Sequence, residues 1–224
     1  MAVHRASDGR SRDLRFRQGV VSLRVVSLVA ALACLGVAAT AAAATQSATL
    51  PSLERVTVLP APVTIADFKL TDQDGKPRTL HSLRGAPTLV FFGFTHCPEV
   101  CPAAMTKLKL LHESGNGALR AVRVVLVSVD GERDTPAVLK HYLAAFSPAF
   151  IGLTGNPRVV TDIAARFSAV AFKEPPDKTG NYQFFHSSQV FLLDQAGRLR
   201  ASFADASVEN MATVTRLVLD EKGG

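Results

Sequence analysis

Apolar and polar positions along this chain fall into short runs of two kinds. Ile65-Ala66-Asp67-Phe68-Lys69-Leu70 alternates like a half-buried strand, turns at Asp72-Gln73-Asp74-Gly75 and returns through Pro77 to Leu83, which predicts a hairpin. Leu89-Val90-Phe91-Phe92-Gly93-Phe94 is continuously apolar, as in a central strand covered on both faces, and Val122 to Val129 is a second such run. Helical signals lie between them. Pro102 suits a first helical position, and the helix it opens runs to about Ser114, stopping at Gly115-Asn116-Gly117. Thr135-Pro136 and Asn156-Pro157 each pair an N-cap residue with proline, and the second opens a helix with Val160, Ile163 and Phe167 on one face. Residues 171–185 read as a polar insertion. Val190 to Leu193 forms a strand that turns at Asp194-Gln195-Ala196-Gly197 into Leu199 to Phe203, and a last amphipathic helix covers Ser207 to Glu221.

The order is hairpin, β, α, β, α, α, β-hairpin, α. It predicts an α/β thioredoxin-like fold: a central mixed β-sheet flanked by helices, with an N-terminal β-hairpin. The first forty-four residues stand apart. Val25 to Ala44 carries no charge and follows Arg15, Arg17 and Arg24, so residues 1–44 are expected to be a signal peptide, ending in Ala42-Ala43-Ala44, or a membrane anchor. Either delivers the rest to the periplasm, cleaved or anchored on the inner membrane; an Arg-rich mitochondrial presequence, leading to the mitochondrial inner membrane, is the alternative. Residues 45–62, with two charges among Ser, Thr and Pro, read as a linker, leaving 63–224 as the folded domain.

Charge narrows the partners. The formal net charge is +6, but residues 1–44 hold six Arg against two acids, so the remainder is nearly balanced. With no basic, aromatic-interleaved block in it, no nucleic-acid partner is expected. An apolar content of 47% builds a core without disulfide staples, and a monomer is the default.

Of the three cysteines, Cys34 lies in the leader, which leaves Cys97 and Cys101 to the domain. They follow the buried strand at its C-terminal end, where open α/β sheets place their chemistry. Thiols there can bind a soft metal, pair as a disulfide or attack a substrate. Cys-x-x-x-Cys is one residue wider than the usual redox spacing, and a helix start at Pro102 puts Cys101 at the helix N-terminus, where the dipole favours thiolate. A good copper site wants a third ligand besides two sulfurs. His186 is the candidate, because Phe184-Phe185-His186-Ser187-Ser188 occupies the segment in which thioredoxins place a cis-proline facing their cysteines. His96 adjoins Cys97 with its side chain expected to point away; His81, His112 and His141 read as surface residues.

Three motifs, Cys97-Pro98-Glu99-Val100-Cys101-Pro102, Ser128-Val129-Asp130-Gly131-Glu132-Arg133-Asp134-Thr135-Pro136 and His186-Ser187 with Phe191-Leu192-Leu193-Asp194, resemble the Sco/SenC family across Val63 to Asp220. The resemblance implies one copper ion held by Cys97, Cys101 and His186. It also implies a role in assembling the binuclear copper centre of cytochrome c oxidase, as metallochaperone or as reductant of its cysteines. Partners would be the copper-bearing oxidase subunit and other copper or thiol carriers, with the membrane through an uncleaved N-terminal segment. Two departures stand out. Gly131 replaces the usual proline, a change of loop stiffness expected to leave the ligands alone. Phe185 replaces a frequent Asp, so the acceptor for the second N–H of His186 must be a backbone carbonyl, water or another acid, with Asp130 and Asp134 as candidates. The alternative on the same residues is a thiol–disulfide oxidoreductase, for which His186 and metal matter little. A thiol peroxidase fits the paired, proline-flanked cysteines poorly.

Overall fold

The structure, a computed structural model, describes residues 53–114 and 117–221. The expected signal or anchor segment and Cys34 lie outside the described residues. No helix among the described residues is long and apolar enough to cross a membrane.

Among the described residues, ten strands and four α-helices follow in chain order: β1 Val56–Thr64, β2 Lys69–Asp72, β3 Pro77–Thr79, β4 Thr88–Gly93, α1 Val100–Glu113, β5 Arg123–Ser128, α2 Pro136–Ala144, β6 Ile151–Thr154, α3 Pro157–Arg166, β7 Ala171–Lys173, β8 Phe184–His186, β9 Val190–Leu193, β10 Arg198–Phe203 and α4 Val208–Asp220. Eight strands make one mixed sheet in the order β1-β10-β9-β4-β5-β6-β2-β3, while β7 and β8 form a separate two-stranded ribbon. Every residue of β4 is buried, as its unbroken apolar run requires of a strand covered on both faces. It lies parallel to β5 and antiparallel to β9. The two caps read from sequence hold, with Thr135 accepting from Val138 N–H and Asn156 from Arg158 N–H, and Ser207 likewise caps α4 by accepting from Asn210 N–H.

Three elements differ from the sequence expectation. The linker over 45–62 gives way at Val56 to a strand, β1, which pairs antiparallel with β10. It is an edge strand with mostly exposed residues and Pro60 and Pro62 within it, so it shows no alternation; its partner makes it a strand. Between α2 and α3 a four-residue strand, β6, bridges β5 and the hairpin strand β2. The 171–185 insertion is not irregular throughout, since its two ends pair as β7 and β8.

The hairpin closes on Asp72, which is 1% exposed at its side chain. Its carboxylate accepts from Asp74 N–H at 3.0 Å, Lys76 N–H at 2.9 Å and Arg78 Nη2 at 2.8 Å. Burial pulls its pKa upward, but these donors outweigh it and hold the group below its ordinary value. A depressed folded pKa contributes stability above the unfolded value of about 3.9, lost as pH falls through the lower folded value. Asp72→Ala is therefore expected to lower the unfolding free energy by about 2–3 kcal/mol at pH 7. Urea melts at pH 7 and pH 3 should show the gap to wild type narrowing in acid; an unchanged gap would remove the carboxylate from the account.

Candidate metal centre

Because β4 and β5 are parallel and Gly93 pairs with Ser128, the loops that leave both strands emerge side by side. β9 runs antiparallel to β4, so the chain entering β9, which carries His186, arrives at the same sheet end. Topology thus gathers Cys97, Cys101, the 130–134 loop and His186.

Gly93 closes β4 for a steric reason. A Cβ there would sit 2.9 Å from Cys101 Sγ and 2.7 Å from a Phe91 ring carbon, so the missing side chain leaves room for the sulfur. After the loop, α1 begins at Val100, two residues before the expected start at Pro102. Pro102 is tolerated as the third helical residue because the first four helix N–H groups lack an intrahelical acceptor. Cys101 consequently lies inside the first turn and is fully buried. The side chain of Glu99, the N-cap residue, makes no cap bond. Instead Cys97 Sγ accepts from Cys101 N–H at 3.4 Å, so one cysteine's sulfur caps the helix that carries the other. The expected lowering of the Cys101 pKa by the helix dipole is overturned: burial pushes this thiol up, and neighbouring Cys97 adds to the rise. Both cysteines are free thiols.

His186, the last residue of β8, faces them. Its Nε2 lies 3.5 Å from Cys101 Sγ and its Nδ1 3.1 Å from the Ser187 carbonyl oxygen. The carbonyl places the ring proton on Nδ1 and leaves the Nε2 lone pair for the sulfur side. Phe91 and Phe94 hold the ring edge-on, at centroid distances of 5.9 and 5.7 Å. Burial lowers the imidazole's pKa, partly opposed by the Ser187 carbonyl, which favours the neutral, ligating form. The Cys97 and Cys101 sulfurs and a ring nitrogen of His186 all lie within 4.8 Å of one another. Two soft donors and one imidazole at this spacing can hold a soft metal ion. Cys97 and His186 also line an open groove of about 800 Å³, between Pro98 and Val100 on one side and Phe185, Ser187 and Ser188 on the other.

Asp130 and Asp134 were candidates for the second N–H of His186. Neither makes that bond; the Ser187 carbonyl, a backbone group, does. The 130–134 loop, which follows β5, meets the Cys97 loop at Thr95, and its carboxylates are taken. Asp134 accepts from Thr95 N–H at 2.9 Å, Thr95 Oγ1 at 2.6 Å and Ser128 Oγ at 2.6 Å. Asp130 accepts from Tyr182 Oη at 3.1 Å and from Arg133. Helix capping falls to Thr135 rather than to either acid. Phe185 stacks on Phe172 at 5.0 Å, and alternation along β8 turns it away from the face of His186.

His96 Nδ1 lies 3.1 Å from Thr95 Oγ1 and 3.8 Å from Asp134, so its ring groups with the acids and not with the sulfurs. Asp130 in that cluster already has Arg133 as its cation. His112 packs edge-on against Phe150 from α1, and His81 and His141 are exposed. Sequence reasoning missed Gly93, Thr95 and Tyr182 as parts of the site; only Gly93 carried a signal, a glycine ending an otherwise bulky buried strand beside a cysteine.

A mixed sheet with a dithiol after its central parallel strand and an imidazole where a proline commonly faces it defines a thioredoxin-like protein whose cysteines are placed for a metal as well as for each other. Comparison makes the class specific. The SCO1/SenC family pattern matches residues 57–219, and the chain belongs to that family. The SCO2-like protein of Rickettsia conorii is 37% identical over 152 residues, which are 67% of this chain and 74% of that protein. The structure of Bradyrhizobium japonicum ScoI with copper bound is 37% identical at a TM-score of 0.63, covering 70% of this chain and 100% of that one. BsSco, described as a member of the Sco family of cytochrome c oxidase assembly proteins and as having a disulfide switch, is 25% identical at a TM-score of 0.59, covering 74% and 99%.

Proposed function

We propose that this protein binds one copper ion through Cys97, Cys101 and His186 and delivers it to the copper centre of cytochrome c oxidase. The observation that carries the reading is the convergence of two thiol sulfurs and an imidazole nitrogen to within 4.8 Å, with no second acid or amide ligand needed to complete a soft three-donor set. Family membership, the copper in Bradyrhizobium ScoI and the oxidase-assembly role of BsSco support the cargo and its destination. The groove supplies the direction of exchange. Cys97 and His186 border it and meet an incoming thiolate first, while fully buried Cys101 holds the ion until last. Export by the N-terminal segment, to the periplasm or to a membrane-anchored position facing it, suits such a donor.

The second reading is thiol–disulfide exchange with cysteines of the oxidase. It is favoured by two free cysteines whose sulfurs lie within 4.8 Å of each other, and by the disulfide switch of BsSco. Anaerobic copper titration of the reduced chain, with Cys34→Ala to remove the leader thiol, separates the two. One copper per chain is expected, held on the order of 100-fold more weakly after His186→Ala. Uptake indifferent to His186 would end the three-ligand site and leave the dithiol as a redox pair.

A further inference from the structure

One loop touches both halves of the site. At one end Asp134 holds Thr95, two residues before Cys97, through its N–H and its hydroxyl. At the other the loop grips the ribbon that carries His186, and the gripped residue is Tyr182, four before the histidine. The Tyr182 hydroxyl donates to Asp130 Oδ1 at 3.1 Å, with Glu132 Oε2 at 3.4 Å. Arg133 stands 3.9 Å from the centre of the Tyr182 ring, and Lys173 of β7 stands 3.7 Å from it. Arg133 Nη1 also donates to the Tyr182 carbonyl at 3.2 Å, and Lys173 is ion-paired with Glu132 at 2.7 Å. Two cations, two acids and one aromatic ring therefore join a ribbon that otherwise forms a sheet by itself to the loop after β5. Burial and the bond to Asp130 push the phenol up to about 12. From Tyr182 the packing continues toward the ligand. Its ring meets Phe184 at 6.0 Å, Phe184 meets Phe94 at 5.7 Å, and Phe94 meets His186 at 5.7 Å. Phe184 and His186 are alternate residues of β8, which strand geometry sets on one face, and Tyr182 lies two residues before that strand.

We propose that Tyr182 is a positioning residue for His186: held by Asp130, Glu132, Arg133 and Lys173, it fixes the β7–β8 ribbon against the loop that also anchors the Cys97 segment, and so sets the imidazole-to-sulfur spacing. The inference rests on the copper reading above, since it concerns how that site is held. Tyr182 bonds the loop and not the cysteines or the imidazole, so its removal acts on the copper site through the elements that carry the donors, the His186 ribbon first. Tyr182→Phe keeps the ring and its two cations but loses the hydroxyl; Tyr182→Leu loses both.

The test compares wild type, both variants and His186→Ala in the full chain with Cys34→Ala. Amide hydrogen exchange of residues 184–187 is measured without metal, and copper affinity and the copper(II) electron paramagnetic resonance spectrum at saturation with it. Expected are graded effects, with exchange on the order of 10-fold faster in Tyr182→Leu and copper on the order of 10-fold weaker. The saturated spectrum should shift toward that of His186→Ala, and Tyr182→Phe should fall between. A Tyr182→Leu protein that only melts earlier, with wild-type exchange at 184–187, affinity and spectrum, overturns the proposal. If wild type itself takes up no copper, the copper reading fails separately and the exchange result decides alone: acceleration confined to 184–187 upholds the positioning role, and none removes it.

Discussion

Replacing Gly131 by alanine is expected to lower the unfolding free energy by roughly 3 kcal/mol or more, and proline is expected to do at least as much. A Cβ at residue 131 would overlap the carbonyl oxygen of Gly155 and reach 3.0 Å from its carbonyl carbon. The obstacle is backbone, which cannot rotate aside as a side-chain tip can. Gly131 follows β5 by three residues and Gly155 directly follows β6, so two loops leaving neighbouring parallel strands touch main chain to main chain. Relief requires the Gly155 loop to retreat, and that loop leads through Asn156 into α3. Gly155 differs: a Cβ there would meet only Leu70 Cδ2, at 2.7 Å, a side-chain methyl that can yield. Gly155→Ala is the internal control. In thermal melts, a loss of 3 kcal/mol in a domain of this size lowers the midpoint by roughly 6–12 °C. A Gly131→Ala midpoint within about 2 °C of wild type would show that the loops part freely. The family resemblance placed a proline here and suggested a difference of stiffness alone; in this chain the glycine is a condition of packing.

That contrast shows what a linear reading reaches. The Cys97–Cys101 loop was visible because a fully buried strand must read as unbroken apolar residues and because proline next to cysteine punctuates the chain. The helix starts at Pro136 and Pro157 were visible because a cap and a proline are local devices. His186 was visible as an imidazole where proline is usual. β1 was not, since an edge strand with Pro60 and Pro62 exists through its pairing with β10, some 140 residues away. β6, only four residues long, carries too short a pattern to separate from a loop. The fates of Asp130 and Asp134 depended on hydrogen bonds to residues 52 and 39 positions away, which no local pattern encodes. The same holds for the Cys101 thiol: the helix start suggested a lowered pKa, but burial, a property of the fold, pushes it up.

The second large effect is expected at Asp134. Its side chain is fully buried and accepts three hydrogen bonds, two from Thr95 and one from Ser128. Asp134→Ala would leave the Thr95 N–H and two hydroxyls without their acceptor inside the protein, at a cost of roughly 3–5 kcal/mol. Asp134→Asn is the informative partner. Its carbonyl oxygen can keep the Thr95 N–H and Ser128 bonds, and its amide can donate to Thr95 Oγ1, whose own proton is then free to turn to His96 Nδ1 at 3.1 Å. The asparagine variant should therefore lose only about 1 kcal/mol. Because Thr95 precedes Cys97 by two residues, the alanine variant should also release the cysteine loop. Cys97, 8% exposed in the folded protein, should become alkylated on the order of 10-fold faster under native conditions, with Asp134→Asn near wild type. Urea midpoints report the stability and timed alkylation followed by peptide mass reports the loop. Equal losses in the two variants would mean that charge, not hydrogen bonding, is what Asp134 supplies; a destabilised alanine variant with wild-type alkylation would mean that the Cys97 loop is held by α1 and Phe94 without it.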